Sequence, residues 1–337
     1  MLYPKFIVKG MKIGIPAPSA GAGNELYANK YKNSEKRLKN LGYNLVLSKN
    51  LYSNYMVRSA NAIDRAEEVN EMFKNKDIDL ILCATGGEFL VEILPFVNFK
   101  LLLDNPKFVC GFSDPTGLLY TITTKLDIAT IYGQNYSAFG ASEIFDSEKD
   151  FLKCISGEKL EFNSYELYEE EGPQKITGLE PSNLTEKIEW KVLNDIDVNV
   201  KGRIIGGCFD IISELAGTKY DGINEFNEKY KEDGIIWYFD NCELSMEEVI
   251  RTLWKFNELG YFKYTKAIIF GRFGANISSI GYEVKTCLND SVISTLGIPV
   301  IYDADFSHKD PCMPVINGSV AEVKLKNKKG IVKYNLI

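Results

Sequence analysis

Histidine is nearly absent: in 337 residues only His308 carries an imidazole. That excludes the His-rich ligand sets of catalytic zinc sites. Paired cysteines are missing too. Cys83, Cys110, Cys154, Cys208, Cys242, Cys287 and Cys312 are odd in number, widely spaced and without a Cys-x-x-Cys motif. Most sit in apolar runs, which reads as buried reduced thiols rather than disulfides or a metal cluster. No metal and no cofactor are expected. Basic residues nowhere cluster, and with a net charge of -7 and a pI of about 5.1 the chain has no footprint for phosphate backbones, so nucleic acid is not an expected partner. No apolar stretch approaches the roughly 20 residues of a membrane helix, and the opening MLYPKFIVKGMKIGIP lacks the basic-then-apolar pattern of a signal peptide. The expectation is a cytoplasmic protein without membrane contact.

What is present points to a layered α/β fold. The chain is 45% hydrophobic, enough over this length to bury a sizeable core, and its length favours two domains. Short apolar runs at Met11–Ile15, Tyr43–Leu47, Asp79–Ala84, Lys107–Phe112 and Ile128–Tyr132 alternate with helical segments, the pattern of a parallel sheet covered on both faces. In DRAEEVNEMFKNKD, Ala66, Val69, Met72 and Phe73 form one apolar stripe. After Phe162 the texture turns polar, with the acidic run Glu169–Glu171, and reads as a solvated linker and surface loops over residues 163–195. The domain boundary is placed near Tyr165–Gln174. Beyond it come a Gly-rich entry (KGRIIGGCFD), a strand (GIIWYFD), a long helix from Ser245, a further strand (KAIIFGRF) and a terminal hairpin turning at KNKKG.

Three stretches carry candidate chemistry. Gly21-x-Gly23 begins a dinucleotide fingerprint, but Leu26 holds the third glycine position and no acid closes the next strand. ATGGE, Thr85 to Glu88, follows a sheet strand where ligands of open α/β sheets bind; it is equally a plain strand-to-helix turn. In KFVCGFSDPT the apolar strand ends at Ser113, and Pro115 suits a first helical turn. Such an elbow presents a serine Oγ at the sheet rim and aims the N–H of Asp114 at the same spot. The alternative is a serine that only caps the helix. If Ser113 is a nucleophile, His308 is the one histidine available as its base, and it lies in a loop fixed by Pro311 and Pro314. Asp240, at the mouth of GIIWYFD, is the best-placed carboxylate to orient the imidazole; Glu243 is the neighbouring alternative.

These residues resemble the LD-carboxypeptidase family of serine peptidases, which includes muramoyl-tetrapeptide carboxypeptidases and microcin C self-immunity peptidases. The likeness runs through Pro16–Ser19, the helix Arg65–Asn70, the Gly86-Gly87 turn, the specific stretch Asn105–Thr116, the motif Gly202–Gly207 and, more loosely, His308 through Gly318. It implies an amino-terminal α/β domain over 1–168 carrying the elbow. A β-rich carboxyl-terminal domain over 175–337 would carry the triad acid and the histidine, with the active site in the cleft and a homodimer as the assembly. It places the nucleophile on Ser113, the base on His308, and the oxyanion donors on the N–H groups of Gly87 and Asp114, with Gly86 beside them as a substrate-binding position. The implied reaction releases a terminal D-amino acid from small cell-wall-derived peptides. The alternatives are cleavage of aminoacyl-nucleotide amides, or a ligand-binding member that has lost turnover. The family acid is normally glutamate, and ungapped alignment puts the shorter Asp240 there. Cys208 stands where asparagine is common, and Ser307 precedes the histidine.

Overall fold

The computed structural model describes residues 1–193, 197–274 and 277–337. Five short strands, β1 (Lys12–Ile15), β2 (Asn44–Leu47), β3 (Leu80–Leu82), β4 (Phe108–Gly111) and β5 (Thr130–Tyr132), pair in parallel in the order β5-β4-β3-β1-β2. Strands β3, β4 and β5 are wholly buried, as a parallel sheet with both faces covered requires. Between them run α1 (Glu25–Asn40), α2 (Ala62–Lys74), α3 (Phe99–Asp104) and α4 (Thr116–Leu126). Helix α2 starts where Asn61 accepts from Asp64 N at 3.0 Å, and it buries Ala66, Val69, Met72 and Phe73. The same face also buries Arg65.

After α5 (Asp146–Ile155), β6 (Glu161–Asn163) opens the second sheet. The polar stretch that follows is not simply a linker. β7 (Leu167–Tyr168) and β8 (Glu186–Lys187) make a small ribbon, and Trp190 is buried just before β9 (Lys191–Val192). Its charges hid this: Glu170 pairs with Lys309, and Trp190 Nε1 donates to Asp305. Residues 194 and 195 of that stretch lie outside the described residues.

At the centre of the second sheet, β10 (Val198–Cys208), β11 (Ile235–Asp240), β12 (Thr265–Gly271) and β13 (Val300–Ala304) run parallel, with helices α6 (Phe209–Leu215), α7 (Ile223–Lys229) and α8 (Met246–Glu258) in the connections. From β13 the chain crosses back, and β14 (Val315–Asn317) joins the first sheet antiparallel to β5. It then returns as the hairpin β15 (Val320–Lys326) and β16 (Lys329–Asn335), whose turn residues Asn327 and Lys328 are both left-handed. Antiparallel β6, β16, β15 and β9 flank the parallel centre, so the carboxyl-terminal half is β-rich.

Candidate active site

Strand β4 ends at Gly111, and two residues later Ser113 takes φ +68, a left-handed conformation rare for serine. The turn closes because residue 111 has no side chain: a Cβ there would lie 2.6 Å from Pro115. Asn135 holds the preceding residue, donating to Phe112 O and accepting from Phe112 N, both at 3.0 Å. Helix α4 then starts as Thr116 N donates to Ser113 O at 2.9 Å. The result is a strand–elbow–helix with the serine at its bend.

The ATGGE turn packs directly on this bend. A Cβ on Gly86 would stand 3.0 Å from Ser113 Cβ, and Gly87 sits at φ +146, a conformation for which glycine is suited. The N–H groups of Gly87 and Asp114 donate to no protein acceptor among the described residues. The Asp114 carboxylate is fully buried, accepting from Ser19 Oγ and, at 2.9 Å, from Leu90 N. Burial raises its pKa, while those donors and Arg65 oppose the rise. Buried Arg65 completes the frame, donating to Pro18 O at 2.8 Å, Phe89 O at 3.0 Å and Glu92 at 2.7 Å.

The second domain brings the imidazole. Asp240 closes β11 with its side chain wholly buried. Its Oδ2 lies 2.9 Å from His308 Nδ1, and its Oδ1 accepts from His308 N at 3.0 Å. The short acid therefore grips both the ring and the backbone of His308. Tyr132 donates its hydroxyl to the same Oδ2 at 2.6 Å, and Ser113 N points to that hydroxyl at 3.4 Å. Burial and the Asp240 charge hold the Tyr132 pKa well above its ordinary range, so it stays a donor. Burial alone would push His308 down, but the Asp240 carboxylate and neighbouring Cys242 outweigh it and hold the imidazole well above 6.5. Among the described residues neither ring nitrogen of His308 makes a well-aligned hydrogen bond to protein, so Nδ1 meets Asp240 as a close ion pair. The ring packs on Phe112 with centroids 4.5 Å apart.

Ser113, Gly86, Gly87 and His308 line one cavity of about 530 Å³, with Asp240 buried behind the imidazole. A larger cavity of about 730 Å³ lies elsewhere on the second domain and holds none of these residues. Its Lys191, Arg272 and Lys309 are paired with Asp303, Asp305 and Glu170. Glu243 is exposed, and its N–H donates to Asp210. Across the cleft, Cys208 N donates to Thr116 Oγ1 at 3.0 Å, docking β10 against the start of α4. All seven cysteines are unpaired, and six are buried. No group of three or more His, Cys, Asp or Glu among the described residues is arranged to hold a metal, and no described helix is long and apolar enough to cross a membrane. Sequence reasoning passed over Tyr132, Asn135 and the Asp114 side chain. Each partner of these groups is distant in sequence, so no spacing signals it.

Comparison with known proteins matches residues 13–133 to the LD-carboxypeptidase N-terminal domain and residues 201–323 to the LD-carboxypeptidase C-terminal domain. The Escherichia coli protein named "Microcin C7 self-immunity protein MccF" is 27% identical over 315 residues, 89% of this chain and 87% of that one. A Bacillus subtilis protein named "Probable murein peptide carboxypeptidase" is 23% identical over 335 residues, 98% of this chain and 94% of that one. The solved structure of wild-type MccF without ligand superposes with a TM-score of 0.86 at 23% identity, covering 100% of both chains.

Proposed function

Given that the chain belongs to the LD-carboxypeptidase family, we propose that it is a serine carboxypeptidase that releases a terminal D-amino acid from small peptides of cell-wall origin. One observation carries this reading: the strained Ser113 opens into the same cavity as a histidine whose Nδ1 lies 2.9 Å from a buried carboxylate. Ser113 Oγ attacks the amide carbonyl. His308 Nε2 takes the hydroxyl proton and returns it to the leaving amine. Asp240 holds the ring in place and offsets its charge, while Tyr132 holds the carboxylate. The N–H groups of Gly87 and Asp114 receive the oxyanion, and water then repeats the sequence on the acyl-enzyme.

A second reading, cleavage of an aminoacyl-nucleotide amide, is favoured by the tyrosines lining the cavity, Tyr27 and Tyr31. One experiment separates the two. The pure protein is incubated with an LD-linked tetrapeptide and with an aspartyl-adenylate amide analogue, and free D-alanine and free aspartate are measured. D-alanine release that disappears in Ser113→Ala supports the first reading, and aspartate release alone supports the second. Turnover of neither, with saturable binding, would refute both in favour of a non-catalytic binder.

A further inference from the structure

Just past the end of β12, Arg272 is 4% exposed and lines no part of the cavity that holds Ser113. Its guanidinium serves the loop that carries His308. Nη2 donates to Lys309 O at 3.0 Å and to Pro311 O at 2.8 Å, two of the three residues that follow the histidine. Nη1 donates to Asp305, three residues before it. The backbone of Arg272 takes part as well: its carbonyl accepts from Ser307 Oγ at 2.7 Å, and Ser307 Oγ in turn accepts from Lys309 N at 2.9 Å. Both sides of His308 are thus tied to one residue.

The anchor of this tie is itself fixed. Asp305 is fully buried, and its Oδ2 accepts from Tyr165 N and Trp190 Nε1, both at 3.0 Å. Its carbonyl accepts from Met313 N at 2.6 Å, which closes the loop over residues 305–313. Strand β12 approaches that loop so closely that a Cβ on Gly271 would fall 1.7 Å from Phe306 O. Burying a charge pair offers little stability over apolar packing. What the planar guanidinium adds is direction, because it holds acceptors on two nitrogens at fixed angles where an ammonium is a single point.

We propose that Arg272 is a positioning residue for the reaction: by fixing the loop on both sides of His308, it sets the imidazole on the line between Asp240 and Ser113. The inference rests on the serine-hydrolase reading and names what aligns its base. Asp240 meets the ring at 2.9 Å from one side only, so a loop free to shift would carry Nδ1 off that contact.

The single histidine makes the test direct. In protein labelled with 13C-histidine the imidazole gives one NMR titration, and Arg272→Lys keeps the charge while removing the fork. The titratable groups that face the ring, Asp240 and Cys242, and Tyr132 behind the carboxylate are untouched by the change. The midpoint is expected to fall from its raised value toward 6.5 as the ring drifts from Asp240. Reaction with a fluorophosphonate, in which Ser113 Oγ bonds to phosphorus and fluoride leaves with the hydroxyl proton as HF, should slow about 10²-fold at saturation. Its half-saturating concentration should stay within about threefold of the parent's, since Arg272 is no part of that cavity. Ser307→Ala removes a neutral link of the same tie and should move both readouts the same way, with about fivefold slowing. It carries the test where the lysine variant does not fold. An unmoved midpoint, at any labelling rate, would overturn the proposal, and so would an effect confined to the half-saturating concentration. Absent labelling of the parent, with the midpoint shifted in the variants, would refute Ser113 as the nucleophile and leave the positioning role standing.

Discussion

Removing one oxygen atom from Tyr132 tests how the site is held together. In Tyr132→Phe the ring remains packed, while the Asp240 carboxylate loses its 2.6 Å donor and keeps only His308 Nδ1 at 2.9 Å and His308 N at 3.0 Å. Both side chains are fully buried, so no water replaces the hydroxyl without rearrangement. Hydrogen bonds to charged groups contribute about 1.5–3 kcal/mol. The variant should lose that much in denaturant unfolding, with an unchanged slope. The same deletion leaves more of the carboxylate charge to the imidazolium, so the pH at which His308 becomes a free base should rise further. Ser113 labelling by a fluorophosphonate, followed against pH, reads this as a rising limb displaced upward from the parent's. A variant within about 0.5 kcal/mol of the parent, with a superimposable labelling profile, would refute the claim that Tyr132 supports the pair.

The raised His308 pKa sets stability and activity on opposite courses. The stabilisation from the protonated imidazole is complete below about pH 6.5 and lost as pH rises through the higher folded-state value, whereas turnover needs the neutral base and should climb through that same window. A turnover limb at the ordinary histidine value, or a pH-independent stability difference from His308→Asn, would contradict this. For Asp240→Glu, the extra methylene in a fully buried socket should push the imidazole off line and lower kcat by about 10²-fold. A gain in kcat would show that the shorter acid is a handicap. In Gly87→Ala the new Cβ would fall 2.3 Å from Ser19 Oγ at φ +146. The backbone strain should cost about 1–3 kcal/mol, and displacement of the neighbouring N–H should slow labelling on the order of 10²-fold.

The elbow was legible because its signals are local: an apolar strand, then Gly111, Ser113 and Pro115 in five residues. The β-rich second domain was reached only through family resemblance, since its antiparallel flanks come from segments as distant as β6 and β16. The polar stretch after Phe162 misled because its acids and Trp190 find partners near residues 305–310, which no window of sequence displays. Strand β14 was invisible for a related reason. PVING is too short to show alternation, and its edge position depends on β5. The turn at Met56 and Val57, both at positive φ, runs against turn propensity altogether, so reading by propensity could not find it.

The crossing of the chain at β14 also bears on when this protein becomes a finished molecule. During synthesis the first sheet can assemble from five strands, but its β5 edge stays open until residues 315–317 emerge, and His308 emerges only just before them. A ribosome-bound chain thus carries Ser113 for nearly two hundred residues with neither its imidazole nor its closing strand. The open edge is a template for pairing with another chain, so translation speed over the carboxyl-terminal half should govern the yield of folded protein. The reactive assembly forms late, as one of the last contacts to close.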